Sequence, residues 1–218
     1  MTGIQNKLFS LSDERLRSFN SKLIPALPAD RIIGVSTPKL KALAKELCES
    51  EKRSFLASLP HEYFEEDQLH SFLLAPMGYD ELLRELDRFL PYVNNWATCD
   101  QLSPRALISA DCDERLLGWL GSERVYTVRF GLNMLMKKRL FSVEWMERAA
   151  SLDCSEYYVS TGVAWYFATA MAFDFERALG YLDRLDGRTR ERTIRKSRES
   201  YRVTDEHKAL LRQLSNRK

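Results

Sequence analysis

The chain has 218 residues, of which 44% are hydrophobic and 29% charged, with only nine glycines and seven prolines. That balance excludes a disordered chain and a loop-rich sandwich, and a predominance of Leu, Ala, Arg, Glu and Lys favours helix. The net charge of +2 is unevenly spread: Arg188–Lys218 holds eleven Lys/Arg against four Asp/Glu, and the other 187 residues carry −5.

In chain order, Leu8–Leu23 reads as a first amphipathic helix, ended by Pro25 and Pro28. The run Ile32-Ile33-Gly34-Val35-Ser36-Thr37-Pro38 leads into a helix bearing Leu40, Leu43, Ala44 and Leu47. Thr37 is its expected N-cap and Pro38 its first helical residue, where a missing N–H costs nothing. Further helices are expected around 51–58, 62–75, 79–90, 96–109 and 113–120. In the C-terminal half, long helices should begin near Glu123, Glu156 and Arg188, with shorter partners near 143–150, 174–185 and 204–215. The starts lie 33 and 32 residues apart, a regular spacing that points to stacked helix pairs. No segment alternates as a strand does. The expected architecture is all-α, a single domain over 1–218 built as a curved α-solenoid of antiparallel helix pairs. A compact irregular bundle is the alternative. The basic segment from Arg188 onward is either a patch for a polyanion or a solvated helix face.

Several chemistries are excluded. The run Gly34-Val35-Ser36-Thr37-Pro38 begins like a nucleophile elbow but has Pro38 in place of the second glycine. His61-Glu62 opens like a zinc-protease helix, yet Glu65 occupies the place of the second histidine. There is no phosphate-binding glycine loop. Cys48, Cys99, Cys112 and Cys154 form no Cys-x-x-Cys pair, and the three histidines are scattered, so no metal site is expected. No N-terminal signal is evident, and reduced cysteines in a cytoplasmic protein are expected. The uncharged run Tyr157–Phe173 is 17 residues long and contains Ser160, Thr161, Gly162 and Thr169, which suits a buried helix better than a membrane span.

What remains is carboxylates, arginines and aromatics, acting without a cofactor. Trp96 and Asp100 stand at i and i+4, an indole one turn from a carboxylate. The plainer alternative is a core tryptophan beside a surface acid. Arg124 and Arg129 bracket a basic helical stripe, and Arg129 lies among Val128, Phe130 and Leu132. Trp165, inside Val163-Ala164-Trp165-Tyr166-Phe167, is by itself most simply a core residue.

These segments together resemble the DNA alkylation repair family, the HEAT-like alkylpurine DNA glycosylases, over roughly Leu8 to Leu214. Ile33-Gly34-Val35-Ser36-Thr37-Pro38-Lys39-Leu40 is similar to the family's Gly-x-x-Thr-Pro helix start, and Asn95–Asp100 to its Trp-x-x-x-Asp motif. Arg129 falls where the family places an active-site arginine. Tyr157–Trp165 resembles the helix carrying its second active-site tryptophan, and Ile194–Arg202 resembles a basic C-terminal segment of one subgroup. The resemblance implies a monofunctional glycosylase acting on double-stranded DNA that contains cationic N3- or N7-alkylated purines, without base flipping. Asp100, Trp96, Trp165 and Arg129 would be catalytic. Ser36, Thr37, Lys39, Arg124, Arg195 and Lys196 would contact DNA. It also implies no cofactor, no membrane association and a monomer. The sequence departs from the pattern at Asn95, where some members have an aromatic, at Ser36, and at Ala168, where an arginine is expected. A non-catalytic binder of damaged or branched DNA, and a protein-binding scaffold, remain the alternatives.

Overall fold

A computed structural model describes residues 2–215. Arg217 and Lys218, counted above in the basic end, lie outside them. Among the described residues all regular structure is helical, and the chain divides into two compact units, Met1–Asp111 and Cys112–Lys218.

The first unit holds α1 (Gly3–Ser10), α2 (Glu14–Leu23), α3 (Thr37–Glu46), α4 (Glu49–Ala57), α5 (Phe64–Leu74), α6 (Tyr79–Phe89), α7 (Trp96–Gln101) and α8 (Arg105–Ser109). The single helix expected over Leu8–Leu23 is two. Asp13 caps α2 by accepting from the Leu16 N–H, and its own N–H is drawn away to the Gly34 carbonyl at 2.9 Å. An N-cap takes non-helical backbone angles, so α1 has to stop before it. Helix 96–109 is also two, because Pro104 cannot supply the N–H that a continuous helix needs. At α3 the cap is Ser36, not Thr37. Thr37 is the first helical residue and Pro38 the second, a position equally free of the need for an N–H.

The packing of this unit depends on α5, whose residues are nearly all buried, charged ones included. The Glu65 carboxylate accepts the N–H groups of Ile33, Gly34 and Val35 at 2.8, 2.7 and 3.3 Å. Burial pushes its carboxyl up, and the three N–H bonds pull the other way by favouring the ionised form. Gly34 is required here: its φ is +90°, and a Cβ would lie 2.4 Å from the Asp13 carbonyl oxygen. Ile24, Ile32 and Phe64 form a buried cluster that Ala97 of α7 packs against. Glu65→Gln keeps the shape but turns an NH2 group toward a backbone donor. It should lower unfolding stability in urea by about 1.5–3 kcal/mol, and an unchanged midpoint would show that the clamp contributes nothing.

A second buried feature is a histidine pair. His61 Nε2 and His70 Nδ1 share one hydrogen bond at 2.8 Å, with Phe55 stacked on His61 and Phe89 stacked on His70. Burial holds His61 down to about 4; burial first, then the charges of His61 and Arg88, hold His70 down to about 2. The folded chain therefore keeps both rings neutral, whereas an unfolded histidine takes a proton near about 6.5. This pair's contribution is complete above about pH 6.5 and is lost as pH falls toward the folded values. Glu65 and Asp67, pushed up by burial, act in the opposite sense. The test is accordingly a difference: between roughly pH 7 and 5 the melting temperature of His61→Gln should fall less than that of the wild type. Parallel curves would remove the pair from the acid response.

The second unit holds α9 (Asp113–Leu120), α10 (Val125–Lys138), α11 (Val143–Ala150), α12 (Tyr157–Ala170), α13 (Phe175–Leu179), α14 (Gly187–Glu199) and α15 (Asp205–Ser215). The partner helix expected over 174–185 is the short α13 followed by a 3-10 turn at Leu182–Arg184. Helix α12 packs on both α10 and α14. Its contact with α14 uses small hydroxyl residues. Thr189, Thr193 and Ser197 are fully buried at i, i+4 and i+8; Ser160 pairs with Thr189 at 2.6 Å. Thr193 and Ser197 return their hydroxyls to the carbonyls four residues back, so this polar stripe is satisfied without water. No helix among the described residues is long and apolar enough to cross a membrane.

Candidate functional site

Trp96 and Asp100 lie on α7, a helix of six residues. Six residues make no stable helix alone, so tertiary contacts must hold it. Asn95 caps it, its side-chain oxygen accepting from the Thr98 N–H at 2.8 Å. The Thr98 hydroxyl accepts from Gln68 of α5 at 2.9 Å, and Cys99 is fully buried. With 98 and 99 turned inward, Trp96 and Asp100 occupy the opposite face, both half-buried. The departure at Asn95 thus has a physical reason, since an asparagine caps the helix that an aromatic could not.

Trp165 is not the core residue that its apolar neighbours suggest. Ten residues of α12 are buried, yet Trp165 is 40% exposed. Lys196 of α14 holds its ammonium 5.6 Å from the indole. The two line a cleft of about 300 Å³ with Ala168, Thr169, Glu199 and Arg202. At Ala168, where the resemblance places an arginine, positive charge comes instead from Lys196 and Arg202, set against the Glu199 carboxylate. The other tryptophans separate cleanly from the candidate pair: Trp119 and Trp145 are each buried at 6% exposure.

Arg129 is buried at 5% exposure on α10. Its Nη1 donates to the Tyr158 carbonyl and to the Thr161 hydroxyl, each at 3.0 Å. Thr161 is one turn before Trp165, so the guanidinium fixes the helix that presents the indole. Gly162 leaves room for it: a Cβ there would lie 3.0 Å from Leu132 Cδ1 and 3.8 Å from Arg129 Nη1.

The remaining candidates divide. Arg124 precedes α10 as its N-cap residue and is exposed. Arg195 is exposed on the outer side of α14, while Lys196 lies over Trp165. Ser36 is half-buried at the start of α3 and Thr37 is exposed beside it. Lys39 is exposed, with its ammonium donating to the Leu11 carbonyl at 3.0 Å. Trp96 and Asp100 therefore share one helix of the first unit. Trp165, Lys196 and Arg129 belong to the α10–α12–α14 packing of the second.

Two features escaped the sequence reading. One is a cleft of about 840 Å³ in the first unit, lined among others by Lys41, Lys45, Phe72, Gln101 and Arg105, with Lys41 5.2 Å from the Phe72 ring. The other is a set of exposed aromatics at 157, 165 and 173, each beside a cation. Their eight-residue spacing was a usable signal, hidden by the assumption that an uncharged run is wholly buried.

A family model described as DNA alkylation repair enzyme matches residues 4–201. The chain belongs to that family. No curated protein and no solved structure matches it. The matched segment includes every candidate named from the sequence and stops one residue short of Arg202, and family membership gives the protein a role in the repair of alkylated DNA. Of the candidates, Trp165 is exposed, and Trp96, Asp100 and Lys196 are half-buried. Arg129 ties α12 to α10. Arg129→Met should therefore destabilise the protein by roughly 1.5–3 kcal/mol, the loss of a buried charged hydrogen-bond donor, and Arg129→Lys should recover part of it. Equal stability of Arg129→Met and wild type in denaturant would contradict this placement.

Proposed function

We propose that the protein is a monofunctional DNA glycosylase that hydrolyses the N-glycosidic bond of cationic N3- or N7-alkylated purines in duplex DNA without flipping the base. The observation that carries this reading is the exposure of Trp165 in a helix that buries ten of its fourteen residues, with a cation beside it. A large aromatic left at the surface between charged groups fits the sugar–phosphate backbone of DNA better than it fits a core. The helix packing would be that of a curved array of HEAT-like pairs, a shape that accommodates a duplex without a deep base pocket. The protein would act as a cytoplasmic monomer.

The chemistry follows from the substrate. A purine alkylated at N3 or N7 carries a positive charge. When the glycosidic bond breaks, the electron pair goes to the base, which leaves neutral, and the positive charge moves to the sugar as an oxocarbenium-like species. Asp100 would stabilise that charge and orient the attacking water, whose proton is released once the new C–O bond forms. The indole faces of Trp96 and Trp165 would pack on the deoxyribose and attract its developing charge. Arg129 would contribute positive potential toward a phosphate while holding α12 in place, and Ser36, Thr37, Lys39, Arg124, Arg195 and Lys196 would meet the backbone.

Asp100→Asn decides the enzymatic part. It keeps size and removes charge, so the loss should fall in the transition state. Release of 7-methylguanine and 3-methyladenine from alkylated duplex under single-turnover conditions should slow on the order of 100-fold or more, with duplex affinity nearly unchanged. Excision at the wild-type rate would remove Asp100 from catalysis. Binding without release by either protein would favour the non-catalytic binder.

A further inference from the structure

The surface formed by α12 and α14 carries more than the Trp165 cleft. Tyr157, Trp165 and Phe173 follow one another at eight-residue intervals and are 55%, 40% and 48% exposed. Each is met by a cation. The Arg192 guanidinium lies 4.8 Å from the Tyr157 ring, and Lys196 lies 5.6 Å from Trp165. Phe173 is met twice, by Arg139 at 5.3 Å and Arg202 at 5.8 Å.

The Phe173 end is unusual in its charge. Two guanidinium groups share one exposed ring, and among the described residues no ion pair joins either of them to a carboxylate. Two positive charges are thus brought to one ring, and both attract an anion that approaches it. Arg139 is held at the end of α10 in the left-handed conformation, φ +57°, by N–H bonds that close the helix, so the backbone from which its side chain starts is set by the fold. Phe173 stacks on Phe141 with ring centres 5.1 Å apart, which fixes the ring as well. Arg202 also lines the Trp165 cleft, making the two places continuous.

We propose that Arg139, Phe173 and Arg202 form a second backbone-binding site, which grips phosphodiester groups of the DNA strand that passes over Trp165. Guanidinium forks suit phosphate oxygens, and an exposed ring beside them suits the apolar face of a sugar. On one strand of a duplex a phosphate recurs every ~3.4 Å along the axis. Eight residues of helix, the interval from Tyr157 to Trp165, cover about 12 Å, so the row spans several nucleotides. Lesion recognition would thus be supported by an anchor displaced along the strand, with Tyr157 and Arg192 at the opposite end. This inference rests on the DNA-binding part of the reading above and not on base excision.

The test uses the full chain and undamaged duplex DNA, with affinity measured against salt concentration. Arg139→Asn combined with Arg202→Gln removes both charges, and asparagine tolerates the left-handed conformation. Affinity should fall on the order of tenfold near 0.1 M salt, and the slope of log affinity against log salt should become shallower by about 2. Arg202→Gln alone alters no helix end and should give about half that change. Phe173→Ala should weaken binding while leaving the slope unchanged, because it removes a contact and no charge. On alkylated duplex the double variant should raise KM. A wild-type slope overturns the proposal, as does an equal change in Arg15→Gln/Lys22→Gln, a charge-matched pair on α2. If the wild type releases no base yet the double variant shows the slope change, the glycosylase reading fails and the anchor stands. If the wild type excises and the slope does not move, the reverse holds.

Discussion

A buried charge must be satisfied where it lies, and each unit of this protein is arranged around one. An ion removed from water loses several kcal/mol of solvation unless hydrogen bonds replace it. In the first unit the ion is the Glu65 carboxylate, and the replacements are three consecutive N–H groups of residues 33–35. Those N–H groups belong to a loop that would otherwise leave them without partners. The loop and the acid satisfy each other, and the loop is thereby fixed at the entry to α3. In the second unit the ion is the Arg129 guanidinium, answered by the Tyr158 carbonyl and the Thr161 hydroxyl. A carbonyl in the first turn of a helix has a lone pair to spare, so α12 gains a tie to α10 without losing a bond of its own.

Both clamps need glycine, for different reasons. Gly34 supplies a positive φ and an absent Cβ where the chain passes Asp13 and Arg17. Gly162 supplies only the absent Cβ, letting Leu132 and Arg129 approach α12. On the other side of α12, the stripe Thr189, Thr193 and Ser197 does the same work with small hydroxyls. Close approach on both sides leaves little interior room for large side chains on α12. Tyr166 and Phe167 take what there is, fully buried, and Trp165 turns outward. The exposure of the tryptophan is therefore a consequence of tight packing on its neighbours, and the cations of α14 are carried to it by the same packing.

Much of this was legible in the sequence, and the failures have identifiable causes. Helices with strong periodicity were placed within a residue or two, including Asp113–Leu120 and Val143–Ala150 at both ends. The break between α1 and α2 was missed because its cause is not local: Asp13 binds Gly34, which is twenty-one positions away. The Pro104 break has a local signal in the proline itself, masked by apolar residues that continue at helical spacing on either side of it. The place of Thr37 before Pro38 predicts it as the cap, but a proline is also tolerated at the second helical position, and the cap is Ser36. Periodicity alone assigns Trp165 to the core, and the structure leaves it 40% exposed; the resemblance gives a reason to expect it at the surface. Neither showed that Arg129 is buried, because an arginine among apolar residues reads the same whether it is clamped by a helix or reaches for a phosphate.

The position of Asp100 follows from the same dependence of local structure on distant contacts. A carboxylate that stabilises a passing cation is effective only if it is already in place when the charge appears. Helix α7 is too short to place anything by its own hydrogen bonds. It is set by a cap at Asn95, by the Gln68–Thr98 bond and by Ala97 against the Ile24–Ile32–Phe64 cluster. Gln68 and Phe64 are both residues of α5, the helix that carries Glu65. The acid that fixes the loop before α3 and the residues that seat α7 are thus within four positions of one another on a single buried helix. The start of α3, with Ser36 and Thr37, and the face that carries Trp96 and Asp100 are aligned by one rigid element. A duplex that touched both would meet two surfaces whose spacing does not have to be arranged at the moment of binding.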